Sequence, residues 1–147
     1  MLPGLPRSFD RPLRIAIVGA GPAGFYTAAA LLAQAGPASA SEPRDLLQID
    51  LIDRLPTPYG LVRFGVAPDH PKIKEVVRVF ERVALDPRVR FLGGLELGRD
   101  LAVADLTAHY DQVVFSVGAE SYKNQGVPGE DLAGSHSSTA LVAWYSA

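Results

Sequence analysis

One stretch constrains this chain more than any other. Gly19-Ala20-Gly21-Pro22-Ala23-Gly24 spaces three glycines as G-x-G-x-x-G between an apolar run, Leu13 to Val18, and a helical pattern carried by Phe25, Tyr26, Ala28, Ala29, Leu31 and Leu32. Strand, glycine turn and helix in that order turn a bare motif into a dinucleotide-binding expectation. Gly19 permits the tight turn, Gly21 lets a pyrophosphate approach the backbone, and Gly24 lets the helix pack against the strand. The helix start offers unpaired N–H groups and partial positive charge to phosphates. Pro22 falls in the first helical turn, where its missing N–H costs little. The plainer reading, a tight turn without ligand, is the alternative.

The rest of the composition bounds the function. The 147 residues are the length of one domain, and a hydrophobic fraction of 48% suffices for a core. A net charge of −2 gives no reason to expect nucleic acid or an anionic membrane as partner. No apolar run is long enough for membrane insertion. Without cysteine there is no disulfide, thiolate metal site or cysteine nucleophile. His70, His109 and His136 lack ligand spacing, so no metal is expected. Residues 1–12 hold three prolines and no apolar core, so they read as a flexible lead rather than a secretory signal, and the protein is expected in the cytoplasm.

Taken in order, residues 13–18 predict a strand and 22–35 a helix, ended by Gly36-Pro37. Residues 36–46 read as a surface loop, and 47–53 as a second strand closing on Asp53. A carboxylate there accepts hydrogen bonds from ribose hydroxyls and disfavours a ribose phosphate, which argues for FAD or NAD and against NADP at this site. Residues 54–70 read as a loop, yet an oddly apolar one, with Leu61, Val62, Phe64 and Val66. Burial against a flat ligand ring and burial on the domain's own core both fit. Residues 71–86 predict a helix capped by Asp69 or His70, with Ile73, Val76, Val77, Phe80, Val83 and Ala84 on one face. A short strand at 89–92, a further short one around Leu95 and Leu97, and a helix at 102–109 follow. Residues 112–117 predict a fully buried parallel strand, with Gly118 at its ligand edge. A final helix starts at Ser138. The expected architecture is a three-layer, Rossmann-like α/β domain on a parallel sheet, spanning 13–147, with ligand at the carboxyl ends of the strands.

These residues resemble the ferredoxin–NADP reductases of the adrenodoxin reductase type. Val18 to Ala28 looks like the opening of that family. Pro58-Tyr59-Gly60-Leu61-Val62-Arg63-Phe64-Gly65-Val66-Ala67-Pro68-Asp69-His70-Pro71 is far more specific. Val113 to Ala119, Pro128 to Leu132 and Trp144-Tyr145 fit in the same order. The resemblance implies an FAD-binding domain, a separate NADP-binding domain, hydride transfer from NADPH to FAD, and electrons leaving singly to a ferredoxin-type iron–sulfur protein. Carried over by position, Ala23, Asp53, Leu61 and Leu97 would contact FAD, Arg63 would stand close to it, and His70 would lie near the isoalloxazine. From the residues alone His70 reads as a helix cap.

The chain departs from the family in carrying Asp53 where Glu is usual and in its longer 36–46 loop. It matches about the first third of a full family member, so it is expected to be the truncated N-terminal part of a flavoprotein with two dinucleotide-binding domains, without the NADP domain and the C-terminal FAD segment. Two other readings stand beside it: a non-catalytic FAD-binding fragment, and a nicotinamide-binding domain without flavin. The 54–70 loop, which a simple nicotinamide domain does not need, argues against the latter.

Overall fold

The computed structural model describes residues 11–37, 47–66, 75–119 and 122–146. Its elements are β1 (Leu13–Val18), α1 (Pro22–Ala35), β2 (Leu47–Asp53), α2 (Leu61–Phe64), α3 (Val77–Ala84), β3 (Val89–Gly93), α4 (Val103–His109), β4 (Gln112–Phe115) and α5 (Ser138–Ser146). The four strands form one sheet in the order β3-β2-β1-β4, and every pairing is parallel.

Side chains alternate across a strand, so each strand feeds both faces of the sheet. Ile15, Ile17, Ile49, Leu51 and Val89 lie on one face under α1 and α3, in a core completed by Phe25, Ala28, Leu32, Phe80 and Val83. Ala16, Val18 and Ile52 lie on the other face, under Leu106 of α4. This is the expected three-layer arrangement. Phe80 ties the first layer together, stacking on Phe25 at 5.0 Å between ring centroids and meeting Tyr26 edge-on at 5.5 Å. On the second face, Asp105 accepts the Ala102 N–H at 2.7 Å and so closes the start of α4.

Several expectations are corrected. The strand expected to be fully buried, β4, ends at Phe115 and is the sheet's edge: Gln112 and Phe115 are exposed, Val113 and Val114 half-buried. Its unbroken apolar run reported sheet membership, whereas its burial depends on a second neighbour that the described residues do not provide. The segment expected as loop through residue 70 contains the short helix α2, begun by the bond from the Phe64 N–H to the Gly60 carbonyl at 2.9 Å. The described part of the 71–86 helix is α3 with a preceding turn, and residues 71–74 lie outside the described residues. The strand expected around Leu95 and Leu97 is a single bridge between Leu97 and Leu101.

Asp50 was not singled out by the sequence, although it interrupts an apolar strand. It is 2% exposed. Arg90 on the neighbouring strand grips it through Nε and Nη2, both at 2.7 Å, and the Tyr110 hydroxyl donates to the same carboxylate at 2.7 Å. Arg14 lies over the Tyr110 ring, 5.2 Å from its centroid. Burial by itself would raise the Asp50 carboxyl. The hydrogen bonds from Arg90 and Tyr110, with the charges of Arg90 and Arg14, outweigh it, and the group is held below the usual carboxylate value. Burial, then the Asp50 hydrogen bond and charge, push the Tyr110 hydroxyl up to about 12.

A carboxyl lowered in the folded state stabilises the fold above the unfolded value of 3.8, and that contribution is lost as pH falls through 3.8 and then through the lower folded value. Asp50→Asn is therefore expected to cost about 1.5–3 kcal/mol at pH 7, the scale of hydrogen bonds to a charged group. It is also expected to flatten the acid side of the stability curve. Urea denaturation midpoints of both proteins between neutral pH and pH 3 measure this; parallel curves would exclude it.

Candidate functional site

The carboxyl end of β1 is where four segments meet, and its peptide groups can be accounted for one by one. The Gly19 N–H donates to the Ile52 carbonyl at 2.7 Å, and the Ala20 N–H to Asp53 Oδ2 at 2.7 Å. The Ala20 carbonyl accepts the Tyr59 N–H at 2.8 Å. The Gly19 carbonyl accepts the Ser116 hydroxyl at 2.9 Å. The turn is thus fixed by β2, by the loop after β2 and by the residue after β4.

The next amides are different in kind. Gly21 caps α1 with extended backbone (φ −85°, ψ −171°), and no side chain caps the helix. The amides of Gly21, Ala23 and Gly24 have no acceptor within the helix, because the first turn of any α-helix leaves them over. No acidic residue stands in that turn. The positive end of α1 is therefore left open for an anion.

The three glycines divide by what they make room for. At Gly19, with φ +109°, a Cβ would overlap the Ser116 carbonyl, and at Gly24 a Cβ would overlap the Gly19 carbonyl. Those two are required by the protein itself. At Gly21 the nearest atom to a Cβ would be the Gly60 Cα, 4.0 Å away. Nothing among the described residues demands a glycine there, whereas a ligand lying on the turn would.

The loop after β2 crosses over this turn. Tyr59 has φ +87°, and its ring is buried against Phe25 and Phe80, at centroid distances of 5.2 and 6.0 Å. Left-handed backbone costs a non-glycine residue roughly 1–2 kcal/mol. Burying a large apolar side chain stabilises by about 1.5–3 kcal/mol, so the ring offsets the backbone. Burial first, then the charge of Glu81, raises the Tyr59 hydroxyl, with Arg63 acting against them, so the phenol stays neutral. Gly60 follows with φ +45°, close enough that a Cβ there would lie 3.0 Å from the Gly21 Cα.

The other expected site residues fall as follows. Asp53 closes β2 and is half-buried; its second oxygen, Oδ1, accepts the Leu55 N–H at 2.9 Å. Its first structural task is thus to hold the turn and its own loop, and each oxygen keeps a lone pair for a further donor. Ala23 is exposed in the first turn of α1. Leu61 is 64% exposed on α2, while Val62 is buried in the core, so the apolar loop divides between inside and outside. The Arg63 guanidinium lies 5.5 Å from the centre of the Tyr59 ring. Leu97 is half-buried against the core under α4. Gly118, with φ +74°, is exposed beyond β4 with open space where a Cβ would be. His70 lies outside the described residues. Gly19, Gly21, Ala23, Gly24, Asp53, Leu61 and Arg63 thus gather around one turn. Ser116 and Tyr59 also belong to it. Their types gave no signal, because each acts through a contact made by the fold. Among the described residues no cluster of His, Asp and Glu could hold a metal ion.

A family model described as FAD-NAD(P)-binding matches residues 16–70. The chain is 47% identical over 137 residues to NADPH-ferredoxin reductase FprA of Mycobacterium tuberculosis, an alignment covering 93% of this chain and 29% of that protein. It is 48% identical over 136 residues to the mitochondrial NADPH:adrenodoxin oxidoreductase of Arabidopsis thaliana, covering 92% of this chain and 26% of that one. The solved structure of Mycobacterium tuberculosis FprA in complex with NADPH superposes with a TM-score of 0.81 at 47% identity, covering 92% of this chain and 29% of the other. The chain spans less than a third of the length of these relatives.

The glycine contacts predict opposite outcomes for two small substitutions. Gly24→Ala is expected to destabilise the fold by about 1–3 kcal/mol, the usual cost of overpacking. Gly21→Ala is expected to stay within about 0.5 kcal/mol of the parent. Chemical denaturation of both variants without ligand decides the matter, and equal losses would remove the distinction between them.

Proposed function

We propose that this chain is the FAD-binding part of an NADPH–ferredoxin oxidoreductase of the adrenodoxin reductase type, similar as it is to the N-terminal portion of such enzymes. The observation that carries the proposal is the cradle at Gly21: open amides at the start of α1, no acidic residue in the helix's first turn, and space that the described residues leave unused. Those features fit a pyrophosphate.

In this reading Gly19 and Gly24 shape the turn, and the Gly21, Ala23 and Gly24 amides donate to the phosphates. Asp53 uses its remaining lone pairs for the ribose hydroxyls. Leu61, exposed on α2, and Leu97 contact the cofactor, and Gly118 lets it approach the end of β4. Arg63 sets a positive charge beside it, and His70 holds a polar position near the ring system. When bound, FAD supplies the two-electron acceptance and one-electron release that this protein scaffold lacks. G-x-G-x-x-G occurs once in these 147 residues, so NADPH is assigned to a second dinucleotide site outside them. The electron acceptor is a ferredoxin-type iron–sulfur protein. Among the described residues no helix is long and apolar enough to cross a membrane. A cytoplasmic location completes the proposal, and cell fractionation tests it, since relatives named as mitochondrial also exist.

The purified chain, mixed with FAD and passed through a desalting column, is expected to keep a visible flavin band. Gly21→Glu fills the cradle with a negative side chain and is expected to weaken binding at least about 100-fold, a loss of about 2.7 kcal/mol. Retention of flavin by Gly21→Glu at the parent's affinity would refute the placement of the pyrophosphate.

A further inference from the structure

We infer that Tyr59 is a positioning residue for the phosphate turn: its buried ring holds a left-handed backbone that presses Gly60 against Gly21. The inference rests on the reading of that turn as the pyrophosphate site, and adds a residue to it. Among the described residues Tyr59 is the one non-glycine with positive φ. A glycine would adopt φ +87° without strain, so a tyrosine there has to be held by its ring. The residue is 9% exposed, and its ring packs against both Phe25 of α1 and Phe80 of α3. Phe25 follows the last glycine of the turn by one residue, so the ring is anchored on the helix whose N-terminus forms the cradle.

The backbone completes the device. The Tyr59 N–H donates to the Ala20 carbonyl at 2.8 Å, and the Tyr59 carbonyl accepts the Val62 N–H at 3.1 Å at the start of α2. Between these two bonds the chain brings Gly60 beside Gly21, where a Cβ on Gly60 would stand 3.0 Å from the Gly21 Cα. The contact limits the room in which the Gly21 peptide can move. Strained backbone of this kind persists where its surroundings over-determine it. Here the surroundings are two aromatic rings and two hydrogen bonds. The same ring carries the Arg63 guanidinium at 5.5 Å, so one side chain sets the turn and the nearest cation of α2 together.

The test compares the full chain with Tyr59→Phe and Tyr59→Gly. FAD affinity is read by fluorescence titration, and the amide resonances of Gly21, Ala23 and Gly24 are read in the ligand-free proteins. Tyr59→Phe keeps the ring and is expected to bind within twofold of the parent with unchanged resonances. Tyr59→Gly relieves the backbone but removes the ring; it is expected to fold, to bind at least tenfold more weakly, and to shift those three resonances while leaving β3 unmoved. Tyr59→Gly binding within twofold with unchanged resonances overturns the inference. So does a Tyr59→Gly chain that does not fold, which would make the ring a general support of the core, or a tenfold loss in Tyr59→Phe, which would assign the effect to the hydroxyl. If the parent chain binds no FAD, the proposed function fails, and the ligand-free resonances still decide whether Tyr59 positions the turn.

Discussion

The Ala20 peptide group is the point at which this domain is tied together. Its N–H is held by Asp53 and its carbonyl by the Tyr59 N–H, both within 2.8 Å. The end of β1, the end of β2 and the loop that follows β2 therefore cannot move independently. With the Gly19 carbonyl taken by Ser116 after β4, the turn is braced from both sides. The consequence is selective. The N–H and carbonyl groups of Gly19 and Ala20 are already satisfied, and the amides that the helix geometry leaves over are those at the start of α1. A site whose own polar groups are fixed in advance does not have to order them when a ligand arrives.

The sheet supplies the rigidity for this arrangement through two unlike faces. Under α1 and α3 the packing is aliphatic and aromatic, with Phe25, Tyr59 and Phe80 in mutual contact. Under α4 the apolar cluster is smaller, and a buried carboxylate stands beside it. Asp50 would be costly alone, but Arg90 and Tyr110 satisfy it while the Arg90 side chain stays 60% exposed. The network joins β2 and β3 to the residue two before β4, and so fixes strand register from the side that has less apolar area to do it. Arg88, just before β3, does similar work, clasping Asp86 and donating to the Gly36 carbonyl at the end of α1.

Asp53 has a structural task beside the one that the sequence suggests for it. The sequence places a carboxylate at the end of the second strand and assigns it to a ribose. In the structure the same carboxylate accepts two backbone amides, from Ala20 and Leu55. An aspartate is one methylene shorter than a glutamate, and this shorter reach brings it to the turn itself. Each oxygen keeps a lone pair, so the proposed ribose contact would use a different part of the same group.

What the sequence determined by itself is local and periodic. The apolar runs, the glycine spacing, Pro22 and Gly36 set β1, β2 and α1 at their observed bounds, because each depends on residues adjacent in the chain. The motif marked the turn at the end of β1, and the alternating strand faces with their intervening helices implied three layers. The tertiary structure decided whatever depends on residues far apart. It made β4 an edge strand and left Phe115 exposed, since burial is a property of neighbours and not of a strand's own composition. It divided the apolar loop, taking Tyr59 and Val62 inside and leaving Leu61 and Phe64 outside. It also separated the glycines that the protein needs from the one it leaves open, a distinction invisible in the spacing. That difference lies in what stands opposite each Cα, and Ser116 and Gly60 arrive there from elsewhere in the chain.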